Sequence, residues 1–429
     1  MAQPVLNALN SSAIVNTMLG SESVRNEQIY NTKEINPPHS LTYSSMLPVT
    51  GATISGPSQT STFQVSKYGY IAQMLLKFTK TYTQTGSGTS NTDLKVQAND
   101  LFATLERVQL LSSSRVISQL TRFDLMSQFS NLPEDKLYPI RESCLAERAF
   151  PNALATNETA SFDYVVPLHF GFMNSVDLQL DSNFLEPLEV KCIWGDQLNV
   201  TDGTTNANTA FTASINNISL LNRYKVYMED QNARILSENY DKPQLNILSS
   251  RYEDEVRSSR IIASNTPIAS KISVELKNTE AVQNFYVICL VSNVGTSATT
   301  AGVLTDYKPH AITNIRFTAS GQEICNLSDK DLAYAKVSED GWAWGASDTS
   351  TTGSRLTNVA KFQTGTWGAY KLSNCFSLRN INAPTIEVSF LTIGGSTNGR
   401  EYSVHVVEDC STIFSISSQT GSVAVALSN

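Results

Sequence analysis

The chain has 429 residues, of which 41% are hydrophobic; this is enough to bury real cores and excludes wholesale disorder. Lys plus Arg is 31 against 39 Asp plus Glu, and the net charge of -8 excludes a sequence-wide attraction to nucleic acid or to an anionic membrane. Charged residues make up only 16%, a balance that favours β surfaces and large protein–protein contacts over a highly charged cytosolic enzyme.

Residues 1–50 are predicted to form an extended N-terminal arm. Its start lacks the basic and apolar stretches of a secretory signal, and its apolar positions allow one weakly amphipathic helix. The two prolines at 37–38 then force extended backbone. The arm carries Arg25 and Lys33 against three glutamates, so it lacks the basic charge with which a shell protein condenses nucleic acid directly.

After the arm, the pattern changes to period two with many β-branched residues, which is typical of strands. In residues 51–230 the predicted strands are 63–78, 105–111, 162–172, 188–194 and 218–228, with a short helix at 119–129. Residues 231–262 mix charges of both signs with Pro243, so they are predicted to be a connector. In residues 263–429 the predicted strands are 270–276, 284–291, 312–317, 385–393, 402–407 and 412–417. Short strands between turn clusters predict an all-β protein.

Two stretches of the chain are alike: residues 105–125 align with residues 312–332 without a gap. The identical pairs are Ser113/Ser320, Ile117/Ile324, Leu120/Leu327, Asp124/Asp331 and Leu125/Leu332. Both copies predict a strand, a tight polar turn, a second strand and a helix capped by Thr121 or Ser328. Residues 187–193 also resemble 384–391. The alternative is coincidence in a Ser/Thr-rich background; a real repeat indicates duplication of one β-sandwich, with the two copies joined near 229–260.

Enzyme motifs such as G-x-S-x-G, H-E-x-x-H and the P-loop are absent from the sequence. The four histidines are His39, His169, His310 and His405, and the strand contexts of His169 and His405 favour hydrogen-bonded structural roles. A nucleophile–base couple of Cys144 or Cys192 with a histidine stays open. The acids with some potential for Ca²⁺ binding or sugar hydrolysis are Asp177, Asp181, Glu186, Glu189, Glu339 and Asp340. Their spacing matches no known ligand loop, so solvated loop acids are preferred.

Two further residue types bear on the class of protein. The six cysteines lie far apart, mostly in apolar runs, and are predicted to be free thiols of a reducing compartment. Trp342, Trp344 and Trp367 are candidates for a sugar platform or an interface anchor, although their glycine neighbours favour a loop packed on a core. We therefore predict no catalytic, cofactor-binding or metal-binding residue and no cofactor.

Three stretches carry a resemblance to a known family. Residues 165–172, followed by 184–193, are similar to that family's Pro-Leu-x-Phe-x-Phe strand and the Leu-Pro-Leu strand after it, although Leu-Glu-Pro-Leu stands in the second element here. Residues 218–228 resemble the exit from the first domain, and 409–429 the last strand with its Ser/Thr-rich terminus. The chain thus resembles the double jelly-roll major capsid proteins of tailless icosahedral dsDNA viruses with an internal membrane, the tectivirus-like phages and their relatives.

The resemblance implies two jelly-roll β-sandwich domains in tandem, at 51–230 and 263–429, with short helices in loops. It also implies a homotrimer whose six jelly rolls form a pseudo-hexameric capsomer of an icosahedral shell. The implied partners are neighbouring capsomers, penton and minor or membrane proteins, and an internal membrane reached through the arm, without direct binding of nucleic acid. The location would be the virion, after synthesis in the host cytoplasm.

Two alternatives come from other functional classes. A virion spike or adhesin-type β-sandwich would bind glycans through Trp342, Trp344 and polar loop groups. A β-sandwich glycoside hydrolase would need two inward carboxylates at catalytic separation, with Glu186 and Glu189 as candidates.

Overall fold

The computed structural model describes residues 39–90, 94–130, 132, 139–170, 181–183, 185–195, 200–201, 210–227, 244–252, 256–276, 281–293, 307, 309–332, 359–363, 376–378, 381–394, 396–417 and 420–427. Antiparallel strands dominate this part of the chain. Within it, no helix is long and apolar enough to cross a bilayer.

The first β-sandwich is formed by two four-stranded sheets. Its strands are β1 (His39–Met46), β2 (Thr60–Gln64), β3 (Tyr70–Gln84), β4 (Lys95–Val96), β5 (Leu105–Ser112), β6 (Arg115–Thr121), β7 (Arg148–Ala149), β8 (Thr159–Leu168), β9 (Leu188–Trp194), β10 (Val200–Thr201) and β11 (Phe211–Tyr227). Sheet A1 has the order β1-β11-β3-β8, and sheet B1 has the order β2-β9-β5-β6. A small sheet, β10-β4-β7, lies beside them. Helices α1 (Asp100–Thr104) and α2 (Arg122–Ser130) and a π-helical turn (Arg141–Leu145) occupy the connections.

The second β-sandwich repeats this arrangement. Its strands are β12 (Gln244–Tyr252), β13 (Val256–Ser264), β14 (Ala269–Glu275), β15 (Ala281–Asn293), β16 (Ile312–Ala319), β17 (Gln322–Ser328), β18 (Ala360–Gln363), β19 (Phe376–Ser377), β20 (Thr385–Leu391), β21 (Ser396–Ser417) and β22 (Val423–Leu427). Sheet A2 has the order β12-β21-β15-β18, with β13 and β22 also paired to β21 and β19 to β15. Sheet B2 has the order β14-β20-β16-β17.

The two sandwiches have the same topology. Along the chain, β1, β2, β3, β5, β6, β8, β9 and β11 fall into sheets A, B, A, B, B, A, B and A of the first sandwich. The strands from β12 to β21 visit sheets A2 and B2 in the same order. The similar segments 187–193 and 384–391 coincide with β9 and β20, which hold the same position in sheets B1 and B2. The prediction of two similar sandwiches is therefore confirmed.

The agreement extends to single residues of the gap-free repeat. In both hairpins the second strand carries a bulge at the same place, at Ile117 between β5 and β6 and at Ile324 between β16 and β17. In both copies the following helix begins with a reciprocal cap: the Thr121 amide donates to Asp124 Oδ2 (2.6 Å), and the Ser328 amide to Asp331 Oδ2 (2.9 Å). Bulges and caps are defined by local sequence, so the aligned residues form the same features in both copies.

Alternation along the strands builds the cores. On β3, Met74, Leu76 and Phe78 point inwards and are buried, while the residues between them are partly exposed. Inside the first sandwich, Phe78 stacks on Tyr164 and meets the edge of Trp194. Each fully buried side chain of this size contributes about 1.5–3 kcal/mol relative to exposure, so burial of this kind dominates the stability of the fold.

Parts of the predicted connector and of the predicted arm form strands in the structure. Residues 244–252 and 256–264 fall largely within the predicted connector 231–262, yet they form β12 and β13 and pair with β21. Of the two, β13 is largely exposed: its Arg257 donates to Glu401 at 2.9 Å, and such charges protect strand edges from further pairing. Likewise, residues 39–46 at the end of the predicted arm form β1 and pair with β11. The predicted amphipathic helix before them lies outside the described residues.

One strand is longer than the sequence indicated. The separate strands predicted at 402–407 and 412–417 are parts of the single strand β21, which pairs with β15 along its first half and with β12 and β22 along its second. The largely polar stretch from Glu408 to Ser411 separates the two predicted strands in the sequence. In the structure Glu408 and Asp409 are buried, so tertiary packing overrides that local signal.

Candidate assembly interface

The histidines occupy structural settings. His310 Nε2 lies 2.6 Å from the Leu391 carbonyl oxygen, and the His405 ring stacks on Phe123 with 4.1 Å between ring centroids. The His169 carbonyl accepts a hydrogen bond from Gln128 Nε2. His39 begins β1. Across the part of the chain that the structure describes, no three His, Cys, Asp or Glu side chains are grouped to hold a metal ion.

The candidate carboxylates do not share one setting. Asp181 is buried, and burial raises the pKa of its carboxyl above the ordinary value, while the Asn183 amide donates to it. Glu186 and Glu189 are half-exposed, and Glu189 lies on the outer side of β9. Asp177, Glu339 and Asp340 lie outside the described residues, as do Trp342, Trp344 and Trp367. The glycan-binding alternative therefore has no described side chain to support it.

The cysteines described by the structure are free thiols: Cys144, Cys192, Cys289, Cys325 and Cys410. Cys375 lies outside the described residues. Burial raises the pKa of Cys144 to about 11, and its neighbours are Ser143 Oγ and the Val165 carbonyl oxygen. Burial raises the pKa of Cys192 still further. Because the thiolate is the nucleophilic form, both settings favour an inert thiol over a nucleophile.

A buried ionic network fixes α1 against β3 in the first sandwich. Lys80 Nζ lies 2.8 Å from Asp100 Oδ1 and 2.7 Å from Thr104 Oγ1. The hydroxyls of Tyr82 and Tyr164 donate to Asp100 Oδ2. Burial, followed by the Asp100 charge, raises the pKa of both tyrosines, so they stay protonated donors. Since Lys80 and Asp100 are 0% and 1% exposed, the network joins structural elements and has no open side for a ligand.

An apolar contact joins the two sandwiches. One apolar cluster contains much of the first sandwich's core together with residues of the second sandwich, namely Tyr286, Ile288, Leu290, Val359, Val407, Phe414, Ile416 and Val423. On β15, the residues that alternate with these belong to the second sandwich's own core: Phe285, Val287 and Cys289. The part of sheet A2 formed by β15 and β21 is therefore buried on both faces, with its outer face against the first sandwich.

The surface of the first sandwich that receives sheet A2 is formed by β6 and α2, which contact β12, β22 and β21. At its centre Phe123 of α2 stacks on His405 of β21. Beside it, Arg122 donates to the Tyr307 hydroxyl and lies 5.0 Å from the centroid of that ring. Asn99 Nδ2 donates to the Tyr307 carbonyl oxygen at 3.4 Å. Stacking, a cation–π contact and hydrogen bonds thus fix the junction in one arrangement.

No protein-family model matches the sequence, and no curated protein sequence matches it. The structure is similar to that of the PBCV-1 virus capsid, with a TM-score of 0.63 and 13% sequence identity over 92% of this chain and 98% of that chain. The fold is the double jelly roll.

Two other solved structures support this assignment. The Faustovirus major capsid protein matches with a TM-score of 0.54 and 11% identity over 96% of this chain and 98% of that chain. The mavirus major capsid protein matches with a TM-score of 0.57 and 11% identity over 90% of each chain. The predicted fold class, two jelly-roll sandwiches in tandem, is confirmed.

Two surfaces of the double jelly roll were not recognised from the sequence. One is the outer face of sheet A1, where Leu75 and Leu221 are cross-strand neighbours and Tyr43 and Arg223 form the next pair. The other is β17 with the helical residues 329–332, where Ile324 is exposed. Both surfaces can be found by comparing the two copies of the repeat. The outer face of A1 corresponds to the outer face of A2, and β17 with residues 329–332 corresponds to β6 with α2. These two counterparts cover each other within the chain.

Proposed function

We propose that this chain is the major capsid protein of an icosahedral virus and that it builds the shell by self-association. The observation that carries the proposal is the double jelly roll, which matches the PBCV-1 virus capsid over 92% of this chain and 98% of that chain. In the part of the chain that the structure describes, the strands build these two sandwiches and the small sheet beside the first. Its role is assembly and protection, without catalysis.

The building block in this proposal is a homotrimer. Three copies bring six jelly rolls together, and six similar bodies form the pseudo-hexameric capsomer that tiles a shell. Closed rotational symmetry is the usual arrangement for identical chains, and a chain with two similar halves extends threefold to approximate sixfold symmetry. Neighbouring capsomers, penton and minor proteins complete the shell around it.

The N-terminal arm lies beneath the shell in this proposal, where it contacts neighbouring capsomers or an internal membrane. Its few charges give it no means to neutralise nucleic acid phosphates. The protein's place is the virion, after synthesis in the host cytoplasm.

The test is the solution mass of the purified full-length chain, measured by light scattering at rising concentration. We expect a stable species of three times 46.9 kDa, or larger regular shells that electron microscopy reveals as closed particles. A strict monomer at every concentration overturns the proposal. In that case glycan arrays with Trp342→Ala and Trp344→Ala variants become the next experiment, because they test the rival binding function.

A further inference from the structure

The described residues of 181–187, called the 181–187 segment below, lead into β9 and contact both sandwiches. The Ser182 amide donates to the Gly69 carbonyl oxygen at 2.9 Å, in the turn between β2 and β3 of the first sandwich. The Glu186 amide donates to the Gly421 carbonyl oxygen at 3.1 Å, in the turn between β21 and β22 of the second sandwich. The segment therefore links the two sandwiches, in addition to the contact of β6 and α2 with sheet A2.

Ser182 fixes the segment to the turn between β2 and β3. Its hydroxyl donates to the Gly69 carbonyl oxygen at 2.6 Å and accepts from the amides of Tyr68 and Gly69 at 3.0 and 3.1 Å. Gly69 has a φ of 147°, and a Cβ at this position would lie 2.7 Å from the Lys225 carbonyl oxygen, so the turn needs glycine. Because Ser182 is 2% exposed, these hydrogen bonds are formed away from water.

Asp181 holds a carboxyl in the interior beside this turn. The residue lies opposite Tyr70 in an isolated β-bridge and is 3% exposed. The Asn183 amide donates to Asp181 Oδ1 at 3.0 Å. In the part of the chain that the structure describes, no cation pairs with this carboxyl. A buried charge without a counter-charge is costly, so burial raises the pKa of Asp181 above the ordinary 3.8.

The titratable side chains on the neighbouring elements do not offset the charge of an ionised Asp181. They are Tyr70 on β3, Lys225 on β11, Lys67 and Tyr68 in the turn between β2 and β3, Arg115 at the β5–β6 hairpin, and Glu186 within the segment. The turn between β21 and β22 contains no charged residue. Burial is the main cause of the raised pKa of Asp181, and the Asn183 amide, which favours the carboxylate, opposes it.

We propose that Asp181 makes the attachment of the 181–187 segment pH-dependent, with the segment attached while the carboxyl is protonated and released locally when it ionises. In the attached segment, a neutral carboxyl lies in the interior and brings no charge that needs solvation. Ionisation favours a released segment, because the carboxylate then reaches water. This device is independent of the proposed function, since it acts within one chain.

The sign of the effect follows from the direction of the pKa shift. The attached segment binds the proton more tightly than the released one, so attachment is most favoured below pH 3.8 and weakens as the pH rises through the raised pKa of Asp181. Release also breaks the hydrogen bond between Glu186 and Gly421, so the pH acts on a contact between the sandwiches. Leu185 is buried in the apolar cluster shared by both sandwiches and opposes release, which keeps the released form a minor population.

The test is hydrogen–deuterium exchange of the full-length chain, followed by mass spectrometry of the peptide that contains the 181–187 segment. Asp181→Asn keeps a neutral group at this position at every pH. The matched control is Glu186→Gln, which removes a carboxylate from the same segment at a half-exposed side chain and keeps the backbone amide. Comparison of the proteins at the same pH cancels the intrinsic pH dependence of exchange. The peptide of β14 reports any change in global unfolding.

At about pH 8 we expect the segment to exchange several-fold faster in the unchanged chain and in Glu186→Gln than in Asp181→Asn. At about pH 4.5 the three proteins should agree more closely, and β14 should not distinguish them. Equal exchange of the segment in the unchanged chain and in Asp181→Asn at every pH overturns the proposal. Slower exchange in Glu186→Gln of the same size also overturns it, because any lost carboxylate would then suffice.

The unchanged chain provides a second measurement that needs no variant. Its exchange in the segment, divided by the intrinsic rate of an unstructured peptide, should rise with pH while that of β14 stays constant. A ratio that is constant between about pH 4.5 and about pH 8 overturns the proposal even if Asp181→Asn does not fold. A parallel rise in β14 overturns it as well, since global unfolding would then explain the exchange. Each of these results leaves the proposed function standing.

Discussion

Ser114 and Gly321 occupy the same position in the two repeats, and both have a positive φ, of 68° and 76°. Each is the second residue of a two-residue hairpin loop, between β5 and β6 or between β16 and β17. The residues before them, Ser113 and Ser320, have φ values of 47° and 51°. Two consecutive positive φ angles define the type I′ turn, whose twist matches the flanking strands and whose second position favours glycine. The first repeat therefore holds a serine where the second has the residue best suited to the turn.

The first prediction is that Ser114→Gly stabilises the protein and that Gly321→Ser destabilises it. A left-handed backbone costs a residue with a Cβ about 1–2 kcal/mol, and the greater freedom of glycine in the unfolded chain offsets part of this. We expect opposite changes of about 0.5–1 kcal/mol in the free energy of unfolding, measured by urea titration. A Cβ on Gly321 meets no atom within 4 Å, so the backbone alone is tested. Changes of the same sign would contradict the explanation.

The repeat was predictable because its signals are local. The polar turn at Ser113 and Ser320 and the caps at Thr121 and Ser328 are each defined within a few neighbouring residues, so duplication left them readable in the sequence. This repeat and the strand pattern together predicted two similar β-sandwiches, and the resemblance to a known family implied that they are jelly rolls.

Other features depend on contacts between distant segments. The strands β12 and β13 looked like a connector because this stretch mixes charges of both signs, and β13 is a largely exposed strand beside β21. Likewise, the sequence around Lys80 on β3 does not indicate that its ammonium group is buried against Asp100, because Asp100 lies 20 residues later in the chain. The exposure of Ile324, whose counterpart Ile117 is buried, became visible only when burial at equivalent positions was compared.

The second prediction concerns the buried pair of Lys80 and Asp100. Asp100→Ala leaves the ammonium group of Lys80 in the core without its counter-charge, and breaking a buried pair in this way costs about 3–5 kcal/mol. We expect Lys80→Met to be similarly costly and the double variant to cost less than the sum of the two. Chemical denaturation of the three variants measures this coupling directly.

The control for this cycle is the exposed pair of Lys271 and Glu387, whose closest atoms are also 2.8 Å apart. Lys271 is 62% exposed, so solvent screens the attraction, and Lys271→Met should change stability by less than about 1 kcal/mol. Equal effects at the two sites would show that burial does not govern the cost.

The third prediction is a pH dependence at His310. Its ring lies against Phe390 and Tyr402, and burial lowers the pKa of the imidazole below the ordinary 6.5. The unfolded chain therefore binds a proton in a range where folded His310 does not, and the free energy of unfolding decreases as the pH falls below 6.5. Above that pH both states are neutral at this position, and no dependence arises from it.

The variant for this test is His310→Gln, which keeps a donor for the Leu391 carbonyl while removing the titration. Unfolding midpoints at about pH 7.5 and about pH 5.5 should differ less in the variant than in the unchanged chain. The carboxylates titrate in both proteins, so the comparison isolates the histidine. An identical pH dependence in the two proteins would contradict the assignment.

The fourth prediction concerns thiol reactivity. Burial raises the pKa of Cys144 to about 11 and that of Cys289 to about 12, and Cys410 is also buried. Cys325 is only half-buried, and burial raises its pKa as well. Because modification requires the thiolate and access to it, the buried thiols should react with a maleimide only when the fold opens, after Cys325 has reacted.

A Cys375→Ser background makes the labelling interpretable, because the surroundings of Cys375 are not described. In that background, mass spectrometry of the native protein at about pH 8 should show a single early modification, which peptide mapping places at Cys325. Adding Cys325→Ser should abolish the early modification while leaving full labelling in denaturant. Early modification of Cys144 or Cys192 would contradict the inert settings in which the fold holds them and would reopen the nucleophile hypothesis.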